Sequence, residues 1–171
     1  MFPKAIIQNV VSTAQLLDKN NKFDLYTISA IIKNSKYSPE RFSALIIKVE
    51  QPIRSTALVF SNGKIVCVGT KSVQDSQIAI RNFVQIITPA SCLPIEIRAF
   101  KIQNVVSSFS FPGHLNLPEF FPGMCLRIKE LRSVIILFTS GKCIITGART
   151  EDEIYNVQNK VYNSILMFLE N

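Results

Sequence analysis

The chain has one histidine, His114, and none of its four cysteines (Cys67, Cys92, Cys125 and Cys143) forms a C-x-x-C pair. Zinc modules need closely spaced Cys and His ligands, so this scarcity argues against a structural metal. A phosphate-cradling glycine loop, a paired-carboxylate spacing and a nucleophile motif are also missing, so no enzyme and no cofactor are expected. No apolar run reaches the roughly 18 residues of a transmembrane helix. The opening Met1-Phe-Pro-Lys lacks a signal-peptide core, so no membrane is expected among the partners. Charged residues are scarce, at 18% against 47% hydrophobic, which suits a folded chain and excludes a disordered one. The charge present is lopsided: a net +7 favours a polyanionic partner without identifying one.

What the chain does have is internal repetition. Thr56-Ala-Leu-Val-Phe60-Ser-Asn-Gly63-Lys64-Ile-Val-Cys-Val-Gly69-Thr-Lys71 reads as two strands joined by a Ser-Asn-Gly turn. Ser133 to Arg149 writes it again, with Phe138, Gly141, Lys142 and Gly147 matching Phe60, Gly63, Lys64 and Gly69 at an offset of 78. Ile7-Gln-Asn9-Val-Val11-Ser returns as Ile102-Gln-Asn104-Val-Val106-Ser at an offset of 95, so the second copy has lost 17 residues between these points. Two long copies are a duplication, not a solenoid. Residues 1–94 and 95–171 are the two repeats, the second shortened at about 107–120. Cys67 and Cys143 fall inside apolar strands and read as reduced core thiols, which points to a reducing compartment.

Between these landmarks the periodicity predicts a helix over 24–33, capped by Asp24, with Leu25, Ile28, Ile31 and Ile32 on its apolar stripe. Ser38-Pro39 precedes a strand over 41–50. A second helix spans Ser72 to Ile87 and is stopped by Thr88-Pro89, its stripe being Val73, Ile80, Phe83, Val84 and Ile87. Pro112, Gly113 and Pro118 leave no room for a helix before a strand at 121–129. A closing helix over 150–169 starts at a Thr150/Glu153 capping box, with Ile154, Val157, Val161, Ile165 and Phe168 on one stripe. Helices cover one sheet face, yet the other is apolar too and must be buried against something.

Arg41-Phe42, Phe60-Ser-Asn-Gly63-Lys64, Gly69-Thr-Lys71, Phe121-Pro-Gly123, Phe138-Thr-Ser-Gly141-Lys142 and Thr146-Gly-Ala-Arg149-Thr-Glu-Asp-Glu153-Ile-Tyr155 resemble the core of the TATA-binding protein family. The resemblance runs from about Ile6 to Phe168, with the motifs in the family's order in both halves. It implies an α+β fold: one pseudo-symmetric saddle, a curved antiparallel sheet of about ten strands with helices on its convex face. It also implies a general transcription initiation factor that binds A/T-rich promoter DNA in the minor groove and bends it.

On this resemblance Phe42 with Phe60, and Phe121 with Phe138, are the wedges that enter base steps. A single strand Phe is ordinarily a core residue, but four in matching pairs beside turns fit the family pattern better. Asn9 and Asn104 match the central pair that reads minor-groove acceptors, where A·T pairs accept donors and a guanine amino group would clash. Either alone could be an asparagine satisfying backbone. Val11, Leu58, Val66, Val68, Val106, Val134, Ile136, Ile144 and Thr146 correspond to the floor of the DNA-binding face. Lys48, Lys64 and Lys71 pair with Arg127, Lys142 and Arg149 as phosphate contacts. The family carries threonine at both central positions; here Val68 stands opposite Thr146, so the halves are expected to contribute unevenly.

Other departures concern partners. Glu119 and Phe120 occupy the place of the family's patch for transcription factor IIB, but Leu117 stands where a further acid is expected. The basic back of the first long helix, tied to transcription factor IIA, is thinned to Arg81. The implied partners are thus double-stranded A/T-rich DNA, IIB-like and IIA-like proteins and, through them, the RNA polymerase machinery. The apolar face would also permit self-association without DNA. The implied compartment is the nucleus, or the cytoplasm for an archaeon or a cytoplasmically replicating virus. Such divergence suits a virus or a fast-evolving parasite. The alternative reading is a scaffold or decoy that holds transcription factors with weak or lost DNA binding.

Overall fold

Ser61-Asn62-Gly63 and Thr139-Ser140-Gly141 close the two repeated hairpins in the same way. In the computed structural model, which describes residues 3–115, 117, 123–128 and 130–166, Gly63 N–H donates to the Phe60 carbonyl (3.0 Å) and Phe60 N–H to Lys64 (2.9 Å). Gly141 and Phe138 repeat the pair at 2.9 Å each. Gly63 and Gly141 have φ of 86° and 81°, a region other residues adopt only with strain. A Cβ on Gly63 would also lie 2.6 Å from that of Leu17.

The described residues form nine strands and three helices: β1 (Ile6–Gln15), α1 (Leu25–Ile31), β2 (Ser35–Ser38), β3 (Phe42–Val49), β4 (Ser55–Val59), β5 (Lys64–Thr70), α2 (Val73–Ser91), β6 (Arg98–Ser110), β7 (Met124–Arg127), β8 (Val134–Leu137), β9 (Lys142–Ala148) and α3 (Glu151–Ile165). The α+β class expected from the sequence is observed, with nine described strands where about ten were expected.

Two compact units emerge, Val10–Ile102 and Met1–Asn9 with Gln103–Asn171. In the first the strand order is β2-β3-β4-β5-β1, and in the second β6-β9-β8-β7. Each pairing within these units is antiparallel. The start of β1 belongs to the second unit, where Gln8 Nε2 donates to Ser108 Oγ (2.9 Å) and the Ala5 N–H to Gln158 Oε1 (3.2 Å). The start of β6 belongs to the first, where Arg98 bridges Asp18 and Glu96.

Alternation decides what each sheet buries. In the first unit Leu45, Ile47, Val59, Ile65 and Cys67 point under α2, whose Ile80, Phe83 and Ile87 are fully buried against them. In the second, Ile135, Leu137, Cys143 and Ile145 are buried, as are Ile154, Val157 and Val161 of α3, which lies against β9. The copies differ at one buried hydroxyl. Ser12 Oγ lies 2.5 Å from Ser76 Oγ. Its counterpart Ser107, 95 residues on, is equally buried, but its hydroxyl has no partner because Ile154 replaces the second serine. Leaving a buried hydroxyl unpaired costs about 1–3 kcal/mol. Ser107→Ala is therefore expected to raise unfolding stability by about 1 kcal/mol, whereas Ser12→Ala lowers it; denaturant melts of the two variants check the opposite signs.

Several expectations need correction. Asp24 does cap α1, accepting from the Tyr26 and Thr27 N–H groups, and its carboxyl is held below its ordinary pKa, chiefly by the Thr27 hydroxyl. Ile31, however, is 58% exposed and not part of the stripe, whereas Leu25 and Ile28 are buried and Ile32, the cap just past the seven-residue helix, packs half-buried against the same core. The edge strand β2 went unforeseen in a polar, Pro-flanked segment whose pairing with β3 is tertiary. The α2 helix passes through Pro89 to Ser91. A proline in the last turn removes one N–H, and Ala90, 3% exposed, anchors that turn in the core. Cys92 then ends it in the left-handed region (φ 54°).

In the second unit β6 continues to Ser110, further than the expected run. The strand expected over 121–129 is β7, at Met124–Arg127, among the described residues. Thr150 accepts from Glu153 N–H (3.1 Å), but the Glu153 carboxylate returns to Arg149 N–H (2.7 Å), one residue earlier than the capping-box pattern. Phe168 lies outside the described residues.

Equivalent contacts locate the missing 17 residues. Leu16 donates to Gly63 as Phe111 does to Gly141, and Phe23 to Ser61 as Leu115 does to Thr139. Leu45 pairs with Val59 as Met124 does with Leu137. The offset thus falls from 95 (Leu16 to Phe111) to 92 (Phe23 to Leu115) and 79 (Leu45 to Met124), and most of the loss falls where the first unit carries α1 and β2.

Candidate nucleic-acid interface

The residues that alternate away from the helices are neither buried nor fully exposed. In the first unit Val11, Leu58, Val66 and Val68 lie half-buried on one sheet face, in cross-strand rows Leu58–Val66 and Thr56–Val68. In the second, Val106, Val134, Ile136, Ile144 and Thr146 do the same, in rows Ile136–Ile144 and Val134–Thr146. Among the described residues, each unit therefore presents an uncovered apolar sheet face.

The aromatic pair of the first unit sits at the rim of its face. Phe42 opens β3 and is 43% exposed. Phe60 opens the turn after β4, and the rings meet edge-on with centroids 6.3 Å apart at 67°. Phe138 holds the same turn position as Phe60 and is half-buried. Phe121, Glu119 and Phe120 lie outside the described residues. Leu117, which stands where the family's patch has a further acid, is 8% exposed and belongs to the core.

Both units carry a bulge at the same place. Val10 pairs with Thr70 and Ser12 with Cys67, so Val68-Gly69 oppose the single Val11. Val105 pairs with Ala148 and Ser107 with Ile145, so Thr146-Gly147 oppose Val106. Gly69 and Gly147 have φ of 98° and 93°, which a bulge of this kind requires. Freed from the ladder, the Gly147 N–H donates to Asn104 Oδ1 (2.7 Å), and Thr146 Oγ1 lies 3.2 Å from Asn104 Nδ2. A backbone donor on Oδ1 fixes which end of the amide is NH₂. Asn104, half-buried, is thus a preset donor beside the apolar row. Asn9 is half-buried on β1, and Val68 supplies no hydroxyl at the position of Thr146.

Lys48, Lys64, Lys71, Arg127, Lys142 and Arg149 are all exposed, in three matched positions. Lys48 stands opposite Thr56 as Arg127 does opposite Val134. Arg81 is exposed on α2. Sequence reasoning missed Ile46 and Cys125, which extend the rows to Ile46–Leu58–Val66 and Cys125–Ile136–Ile144. They correspond at an offset of 79, as Phe42 and Lys48 do with Phe121 and Arg127. Among the described residues no group of three metal-ligating side chains occurs, and no helix is long and apolar enough to cross a membrane.

The thiols divide as the alternation dictates. Burial pushes Cys67 up to about 11, despite a counteracting hydrogen bond with Ser76, and Cys143 up to about 12. Both are fully buried and free, whereas Cys92 and Cys125 are exposed. A thiol ionises more readily once unfolded, near 9. The stabilisation is therefore complete below pH 9 and is lost as pH rises from about 9 towards 11. Denaturant midpoints are expected to hold at neutral pH and fall above pH 9, with a shallower fall in Cys67→Ala/Cys143→Ala. Thiol labelling of the native protein should reach Cys92 and Cys125 first.

Comparison with known proteins agrees across both units. The family model for "Transcription factor TFIID (or TATA-binding protein, TBP)" matches residues 4–90 and 99–168. A TATA-box-binding protein of Drosophila melanogaster is 39% identical over 176 aligned positions, covering 95% of this chain and 48% of its own length. TATA-box-binding protein 1 of Triticum aestivum is 37% identical, covering 92% of this chain and 71% of its own. The chain thus spans about half of the insect relative. Among solved structures, Methanococcus jannaschii TBP superposes with a TM-score of 0.79 at 29% identity, over 96% of this chain and 99% of that one.

Proposed function

The chain belongs to the TATA-binding protein family, and from that premise we propose that it is a transcription initiation factor acting on A/T-rich, TATA-like promoter DNA. The proteins it resembles are named for that box, and it is not an enzyme. In this reading residues 1–94 and 95–171 work as one binding domain, entering the minor groove with both apolar faces and bending the duplex by inserting Phe42 with Phe60 and Phe121 with Phe138. The bent complex then nucleates assembly of the polymerase machinery. It works where the promoter is: in a nucleus, or in the cytoplasm of an archaeon or of a cell hosting a cytoplasmically replicating virus.

One observation carries the reading: among the described residues each unit leaves uncovered an apolar sheet face rimmed by cations, and the first sets an aromatic pair, exposed Phe42 against half-buried Phe60, at its edge. A minor groove offers apolar sugar walls and an acceptor-lined floor between two rows of phosphates, which suits this surface in shape and charge. Asn104 supports the A·T preference, since its NH₂ end is the one available to the floor. Glu119 and Phe120 would receive a IIB-like partner, and Arg81 is what this chain retains for a IIA-like one.

A mobility-shift titration tests this. The expected result is binding to an A/T-rich duplex and loss of it when central A·T pairs become G·C. Selection from a random pool should give a weaker consensus on the side read by Val68 than on the side read by Thr146. No binding to any duplex, with retained binding to a IIB-like partner, would move the chain to the scaffold reading. A symmetric, stringent consensus would refute the asymmetry.

A further inference from the structure

The outermost strand of the first unit turns from apolar to charged on the very face that faces away from the helices. The cross-strand row Val66–Leu58–Ile46 continues to Lys36 on β2. Paired residues in adjacent strands project from the same face, so Lys36 closes an apolar row with an ammonium group. The neighbouring row, Val68–Thr56–Lys48, ends on a lysine one strand earlier. The Lys48 N–H then donates to the Asn34 carbonyl (3.0 Å), which brings the Lys33-Asn34 segment alongside. Lys33, Asn34, Lys36, Ile46, Lys48 and Glu50 line an open cleft of about 680 Å³. Three cations and one carboxylate surround it, and all four are exposed. The second unit has no counterpart among the described residues: its outermost strand is β7, with Arg127 in the place of Lys48.

We propose that Lys33 and Lys36 take phosphates of the DNA flanking the bound site, extending the track that Lys48 begins. This rests on the minor-groove reading above. A lysine ammonium is a compact point charge on a long stem, suited to following a backbone without reading bases. The two lysines add affinity that does not depend on sequence. They add it to the unit where Val68 has removed a hydroxyl from the central row, so that unit holds DNA more by charge and less by base contact.

The test measures affinity of the full chain for an A/T-rich duplex across a salt series, comparing wild type, Lys33→Gln/Lys36→Gln, and a charge-matched control, Lys4→Gln/Lys160→Gln, whose changes lie on and beside α3. At about 0.9 per phosphate contact, the lysine variant should lower the slope of log K against log salt by roughly 1.8. It should weaken A/T-rich and G·C-substituted duplexes by the same factor, and the loss should vanish on a duplex trimmed flush with the bound site at one end. An unchanged slope while wild type binds normally would overturn the inference alone. Equal loss in the charge-matched control would overturn it too, by showing a net-charge effect. Saturable binding of an acidic peptide, lost in the lysine variant while its DNA slope is unchanged, would assign the cleft to a protein. Failure of wild type on every duplex would strike the minor-groove reading first and take this inference with it.

Discussion

Phe42→Ala/Phe60→Ala is expected to abolish bending at one end of the site and to weaken binding by about 10²-fold, with little change in fold stability. Burying two phenylalanine rings is worth roughly 3–6 kcal/mol, but inserting them unstacks a base step at a cost of a few kcal/mol. Removing both the gain and the cost leaves the smaller net loss in affinity, whereas the kink disappears outright. Stability holds because Phe42 is 43% exposed and Phe60 half-buried, so neither is a pillar of the core. End-to-end energy transfer on a labelled duplex reads the bend, and a thermal melt reads the fold. Phe121→Ala/Phe138→Ala is expected to act likewise at the other end. Binding with an undiminished bend in either variant would reject insertion.

Salt should produce an effect as large. On the proposed reading the six matched cations make about six phosphate contacts, hence, on a duplex trimmed flush with the bound site so that Lys33 and Lys36 add none, a slope near −5 in log K against log salt and roughly a 10³-fold loss between 50 and 200 mM. The structure leaves all six exposed, and a counterion must leave the DNA for each contact made. A slope near −1 would show that the charge is a solvated decoration and that apolar burial alone holds the duplex.

Much of this was legible from repetition. A turn written twice, Phe60-Ser-Asn-Gly63 and Phe138-Thr-Ser-Gly141, located both hairpins, and alternation around it sorted buried Cys67 and Cys143 from half-buried Val66 and Ile144. What escaped was non-local. β2 exists because β3 offers it a ladder, and nothing in Ser35-Lys-Tyr-Ser38 announces a strand. Pro89 reads as a stop until Ala90 is seen anchored in the core. Ile46 belongs to the same face as Leu58, and Cys125 to that of Ile136, yet Ala44-Leu-Ile-Ile47 is apolar on both faces, so alternation alone does not say which side Ile46 takes. Ser107 looks like a copy of Ser12, and only Ile154, standing where the first copy has Ser76, accounts for the orphaned hydroxyl.

The hairpin turns have a consequence for the speed of recognition. Phe60 and Phe138 each have both backbone groups hydrogen-bonded within the turn, N–H to the residue after the glycine and C=O from the glycine itself. Only the ring's own torsions remain to be chosen when it meets DNA, so the protein arrives with its ordering already done. On the proposed insertion, the slow event in forming the bent complex is expected to be the opening of a base step. The lifetime of the complex should follow the stacking strength of the step at the wedge, longest at a flexible pyrimidine–purine step and shortest in a stiff tract, whatever the bases in between.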